Sequence, residues 1–303
     1  MLIDIHVHSC NPRHPGLTRP NGTHYPTPDT LIQMMDDHGI DKALLMGTVN
    51  PEYRYTVVTT EELLDIASQY PERIIPCCTI DPRWLTNSPK SNFRPILEAY
   101  RDLGCRAVGE YIPNLPFDDP LNLNFFAHVE AVGLPLTFHI GPTIGGCYGC
   151  YDEPGLPRLE RVLRTFPDLV FLGHSQPFWA EIGDNVLDAD GNRIPYPKGP
   201  VTPGRLVELF RRYPNLHGDL SAGSGFTAIS RDPQFGVGFL EEFQDRLCFG
   251  TDIANTPQEL PIVPYFRKLK DEQLISPDAY EKITWRNADR ILRLGLAHSG
   301  NTK

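Results

Sequence analysis

Nothing in this chain stays apolar for the roughly 18 residues that a membrane-spanning helix requires, so a membrane protein of the helical type is not expected. No basic run is longer than the pair Arg211-Arg212, and 38 acidic residues outnumber 28 basic ones, for a formal charge of −10. A surface of that sign repels a phosphate backbone, which removes nucleic acid from the expected partners. Low-complexity tracts, tandem repeats and a polar linker are also missing, and the chain reads as a single domain over residues 1–303. Residues 1–8 lack the basic start and the long apolar segment of a secretory leader, which makes the cytoplasm the expected location. Cysteine is sparse and odd in number: of the seven, Cys77, Cys78, Cys105 and Cys248 fall inside apolar runs where a thiol behaves as a small hydrophobe. A reducing compartment fits that usage.

What the sequence does contain is a repeating alternation of short Val/Ile/Leu-rich runs with helical patterns. The runs fall at residues 2–8, 42–48, 73–80, 105–111, 134–140, 169–174, 216–221 and 247–252. Helical patterns lie between them near 30–38, 60–68, 93–103, 122–132, 156–165, 203–213 and 234–244. Gly39 and Gly133 are placed to end two of these helices in the left-handed conformation, while Pro71, Pro167 and Pro214 forbid continuation of three others. Strands followed each by a helix, without a break, predict an α/β fold of the (β/α)8 TIM-barrel type. Apolar segments at 260–270 and 277–296 supply the last outer helix and a closing helix. The long connections follow strands one, five and six, and they gather on the face at the strands' C-terminal ends, where barrel enzymes place their chemistry.

His6 and His8 are two apart within a strand, so both imidazoles face the barrel interior at its mouth. The fifth strand ends at His139, the sixth at His174 and the eighth at Asp252. Packing alone does not bring histidines and a carboxylate to one rim in this way. Imidazole with carboxylate suits a first-row divalent ion, and zinc is the first choice among zinc, iron, nickel and manganese. On the seventh strand, Asp219 and Ser221 are expected to share the inward face.

The segments DIHVH at 4–8, FHIG at 138–141, LGHS at 172–175 and FGTD at 249–252, in that order and spacing, resemble the amidohydrolase superfamily, in particular its amidohydrolase-related (ACMSD-like) branch. The likeness spans the barrel and extends to Trp285-Arg286-Asn287-Ala288-Asp289-Arg290-Ile291-Leu292, which is similar to the branch's closing-helix signature. The resemblance implies that His6, His8, His139 and Asp252 hold one metal ion. It implies that His174 stands beside the ion, with ligation by His174 left open, and shares acid–base work with Asp252. No lysine ends strand four, so the carbamylated-lysine dinuclear centre of other superfamily members is not implied. Glu110 stands there instead, a residue compatible with a second ion, as in the TatD-like branch, or with orienting a ligand histidine.

Arg13, Arg54, Tyr111 and Trp179 are the candidates for substrate contact, and Arg19 and Arg83 add cations on neighbouring loops. Cys147 and Cys150 form a lone CxxC, which without a second pair reads as an ordinary loop. The resemblance implies a metal-dependent hydrolase acting on an amide, lactone or related C–N or C–O bond of a small, anionic substrate. A metal-dependent, non-oxidative decarboxylase of a small carboxylic acid is the alternative, and a nuclease or a metal-free binding module ranks lower. A small molecule is the expected partner, with homo-oligomerisation left open.

Overall fold

A computed structural model describes residues 1–12, 18–19, 22–52 and 56–296. It is a (β/α)8 barrel. Eight strands build it: β1 (Ile3–His8), β2 (Lys42–Met46), β3 (Ile74–Pro76), β4 (Val108–Tyr111), β5 (Leu136–Gly141), β7 (Phe171–His174), β8 (Leu216–Asp219) and β9 (Leu247–Cys248), while β6 (Cys150–Tyr151) is a short addition beside β5. All pairings are parallel. The two sheets join through a bridge between Cys78 and Val108, and the circle closes through Val7 and Ile253. Backbone bonds from Ile5 N to the Phe249 carbonyl (3.0 Å), Asp252 N to His6 (2.9 Å) and His8 N to Ile253 (2.7 Å) tie β1 to the chain after β9.

The alternation in β1 explains its position. Ile3, Ile5 and Val7 pack in the apolar core, while Asp4, His6 and His8 are equally buried on the other face. A strand polar on one face and still covered on both must turn that face into the barrel. The outer helices end as the sequence predicts at Gly39 (φ 69°) and Gly133 (φ 72°), left-handed positions that suit glycine.

Two elements depart from expectation. Short helices Gln176–Ala180 and Ala222–Ser230 follow β7 and β8 inside stretches that carry Gly, Pro and Ser, and both are held by tertiary packing. The closing segment is also not one uniform helix: Pro277–Glu281 and Asn287–Leu292 flank a π-helical turn, Lys282–Arg286, and the whole stops at Arg293 rather than 296. The wide turn leaves the Ile283 carbonyl to accept from Phe249 N (2.9 Å), and Asn287 Nδ2 donates to the Gln244 and Leu247 carbonyls. The signature around Asn287 therefore anchors β9, the strand that leads to Asp252. No disulfide joins the seven cysteines, all of which lie among the described residues. Among those residues, no helix is long and apolar enough to cross a membrane.

Candidate metal centre

Asp4 sets the frame. Its Oδ1 accepts from His6 N (3.0 Å) and Thr251 N (3.0 Å), and its Oδ2 accepts from the Thr251 hydroxyl, so one carboxyl spans β1 and the chain after β9. Burial pushes this carboxyl up to about 7 against the pull of those three bonds. Just beyond, Asp252 takes a left-handed backbone (φ 57°), a conformation that Asp tolerates better than most residues. Gln258 holds it there, donating through Nε2 to the Asp252 carbonyl (2.7 Å) and accepting from Ala254 N and Asn255 N.

His6 and His8 are pinned by their outer nitrogens. His6 Nδ1 donates to Asp219 Oδ2 (2.6 Å), and His8 Nδ1 donates to the Met46 carbonyl (3.2 Å). Both acceptors lack a proton to give, so in the neutral rings both lone pairs sit on Nε2. Those two Nε2 atoms are 3.1 Å apart. Asp252 Oδ1 completes a triangle, 3.7 Å from His6 Nε2 and 3.5 Å from His8 Nε2. Two facing lone pairs and a carboxylate oxygen repel unless a positive charge lies between them. Burial opposes a positive charge on His6, but Asp219, Asp252 and Glu110 raise its ring to about 10, so the surroundings favour a cation at this point. A tetrahedral ion about 2.0–2.1 Å from each nitrogen spaces two of them by about 3.3 Å, so the donor set fits a divalent metal.

A second group adjoins the first. Glu110 Oε1 accepts from His139 Nδ1 (2.7 Å) and is 4.0 Å from His174 Nε2, while Oε2 is 3.7 Å from His8 Nε2. Of the expected ligands, His6, His8 and Asp252 converge on one point, while His139 groups with Glu110 and His174 beside it. Glu110 faces both groups. Burial raises its carboxyl, yet the His139 bond and the surrounding imidazoles hold it well below the usual range. Asp219 and Asp252 are depressed in the same way against burial, by His6 and His174 for the former and by His8, His6 and His174 for the latter. Burial pushes His139 down, toward the neutral ring. Several carboxylates held ionised around imidazoles make a strongly negative interior that a dication offsets.

His174 Nδ1 is 2.9 Å from Ser221 Oγ and 3.4 Å from Asp219 Oδ2. Asp219 and Ser221 thus face inward as expected, but their joint hold on two histidines was not foreseen. The only hint was polar character at the end of an apolar strand. Gly149 (φ 98°) brings the loop after β5 onto the site: a Cβ there would stand 2.7 Å from both Gly141 N and His139 Cδ2.

Of the four expected substrate contacts, Tyr111 and Trp179 lie among the described residues. Tyr111 is not at the mouth: it is 1% exposed, stacks on Phe125 and donates to Asn122 Oδ1 (2.7 Å). It follows the inward Glu110, so strand alternation turns it outward into the helix layer. Trp179, also 1% exposed, donates through Nε1 to the Asp219 carbonyl (2.9 Å) and supports the site from behind. Arg13 and Arg54 lie outside the described residues. Of the further cations, Arg83 is engaged by Asp81 and Glu52, and Arg19 lies over Tyr25, whose ring stacks on His8 (4.9 Å, 6°). Cys147 Sγ donates to the Thr143 carbonyl (3.2 Å), and neither cysteine of the CxxC joins a ligand group among the described residues.

Comparisons with known proteins agree with this architecture. The amidohydrolase family profile matches residues 3–294. The search of curated proteins found no match. Among solved structures, an uncharacterised TIM-barrel protein from Bordetella bronchiseptica is similar at 19% identity and TM-score 0.65, over 96% of this chain and 99% of that one. A dihydroxybenzoic acid decarboxylase from Polaromonas sp. JS666, with bound manganese and the inhibitor 2-nitroresorcinol, is similar at 16% identity and TM-score 0.62, over 99% of each chain. A probable 2-pyrone-4,6-dicarboxylic acid hydrolase from Acinetobacter baumannii is similar at 14% identity and TM-score 0.57, over 96% of this chain and 99% of that one. At such identities the structures speak to the fold, and it is the family match over almost the whole chain that assigns membership. This chain belongs to the amidohydrolase family.

Proposed function

We propose that the chain is a metal-dependent hydrolase that cleaves an amide, lactone or related C–N or C–O bond of a small, anionic substrate. The observation that carries this reading is the 3.1 Å approach of two Nε2 atoms whose rings have both committed Nδ1 to acceptors. His6, His8 and Asp252 would hold one divalent ion, zinc being the first to test, with Glu110 between that point and His139. Bound there, such an ion acts as a Lewis acid on a carbonyl and activates water near neutral pH.

The chain's own residues do the rest. Asp252 turns Oδ1 to the histidine pair and leaves Oδ2 4.0 Å from His174 Nε2, so one carboxylate can hold an ion and pass a proton. Its side chain is 26% exposed, against 0% for His6 and 3% for His8, which makes it the member that an incoming substrate reaches. His174 Nε2 is 4.0 Å from both Glu110 Oε1 and Asp252 Oδ2, a separation that one substrate oxygen bridges. A proton removed by Asp252 can return to the leaving group from the same oxygen.

The second reading is a non-oxidative decarboxylase of a small carboxylic acid. The fold likeness to a manganese-containing decarboxylase favours it, and it uses the same residues, with the proton delivered to carbon. Metal analysis by mass spectrometry on protein purified without chelator or nickel resin comes first. About one ion per chain supports the reading, about two assign Glu110 a bridging role, and none after reconstitution rejects it. Substrate screens in 18O-water then separate the reactions: a hydrolase places solvent oxygen in the product, and a decarboxylase releases CO2.

A further inference from the structure

Asp219 is completely buried, and each of its oxygens has a separate task. Oδ2 accepts from His6 Nδ1 (2.6 Å) and is 3.4 Å from His174 Nδ1, while Oδ1 accepts from Ser221 N (3.0 Å). Ser221 Oγ is nearer to His174 Nδ1, at 2.9 Å. The two imidazole rings are 4.4 Å apart, and both present Nδ1 to the same strand end. Gly250 leaves the space for this: a Cβ there would stand 2.8 Å from Asp219 Oδ1 and 2.9 Å from the Ser221 Cβ. The carboxylate is therefore unable to rotate, and no solvent replaces a lost partner.

From this arrangement we infer that Asp219 and Ser221 are positioning residues with divided duties, Asp219 aiming His6 Nε2 at an ion and Ser221 holding the proton of His174 on Nδ1. The inference rests on the proposed metal reading and assigns the support of each histidine within it. A proton on His174 Nδ1 meets an acceptor at both neighbours, the Ser221 hydroxyl and the Asp219 carboxylate. Nε2 is then left with its lone pair toward the gap between Glu110 and Asp252, as a proton acceptor. The Ser221 hydroxyl is the nearer partner at 2.9 Å, and the Asp219 oxygen at 3.4 Å is already engaged by His6 Nδ1 at 2.6 Å, so the hydroxyl is the group that fixes the Nδ1 proton.

The two duties separate by substitution. In Asp219→Asn the amide has one oxygen where two acceptors are needed, so its NH2 opposes either His6 Nδ1–H or Ser221 N–H. Zinc affinity, read by chelator competition, should fall about 10- to 100-fold in that variant. Ser221→Ala should keep zinc affinity within about twofold while the ring-nitrogen signals of His174, read by 15N NMR on histidine-labelled zinc-loaded protein, move away from the Nδ1–H pattern. Ser221→Thr, which keeps the hydroxyl, should restore it. Wild-type affinity in a folded Asp219→Asn protein, or His174 signals unchanged by Ser221→Ala, would overturn the inference. A wild-type protein that binds neither zinc nor another first-row divalent ion would instead reject the metal reading, and the His174 signals of metal-free Ser221→Ala then decide the role of Ser221 on their own.

Discussion

Two charged clusters cap the C-terminal ends of the barrel strands, and they are built on opposite plans. Around Arg83, donors meet acceptors: Nε and NH2 bond Asp81 (2.7 and 2.6 Å), NH1 and NH2 bond Glu52 (2.8 and 2.9 Å), and Asn50 Nδ2 also donates to Asp81 (2.6 Å). Around His6 and His8, acceptors meet acceptors, with the ring protons already spent on Asp219 and Met46. Arg83 can leave its partners only at the expense of a buried carboxylate, whereas the histidine cluster gains by admitting a cation. Density of charge is thus a poor guide to a ligand site; a mismatch of donors with acceptors is a better one.

The comparison is broken most directly by removing the histidines. His6→Ala combined with His8→Ala should abolish metal binding and lower turnover by at least about 10³-fold, read by metal analysis and by assay on whichever substrate the screens return. Retained activity in that variant would contradict the metal reading. Arg83→Met should do the reverse, keeping the metal while costing about 3 kcal/mol of stability in urea titrations, because Asp81 is left buried without its cation. Loss of metal in Arg83→Met would show that the clusters are coupled.

A pH series sharpens the contrast within the site itself. In metal-free protein, Glu110, Asp219 and Asp252 have carboxyls depressed on folding, so the stability they contribute is fully present above the unfolded carboxylate range and is lost progressively as pH falls through that range to their lower folded values. Asp4 has the opposite sign: raised from 3.8 to about 7, it contributes stability at low pH that is lost as pH rises through about 7. Melting temperatures of Asp4→Asn should therefore gain on wild type more at pH 8 than at pH 5. An equal gain at both would mean that Asp4 is not the neutral-range group. The smallest effect belongs to Tyr111→Phe, which removes one hydrogen bond to Asn122 at about 1 kcal/mol and should leave metal content and KM unchanged. A changed KM would return Tyr111 to the substrate.

Much of the fold was legible because barrel strands carry their own phase. The alternation in residues 3–8 places Asp4, His6 and His8 together inside, and apolar runs separated by helical patterns number the strands. The same rule, applied one residue further, would have turned Tyr111 away from the mouth that Glu110 faces. Helices Gln176–Ala180 and Ala222–Ser230 were missed because Pro, Gly and Ser lower local helix propensity, and their stability comes from contacts with the barrel. The lone CxxC reads as an ordinary loop, but Cys150 opens the short strand β6, which pairs with β5.

By itself, then, the sequence determined which residues reach the mouth of the barrel, since a period of two and the order of the strands are local properties of the chain. Only the tertiary structure decided what each of them does there. His6 owes its tautomer to Asp219, 213 residues away, and His8 owes its tautomer to the carbonyl of Met46 on the neighbouring strand. His139 meets Glu110 through Nδ1 because β4 and β5 lie side by side. Which nitrogen carries a proton depends on the atom that faces it, and in a closed barrel that atom comes from another strand.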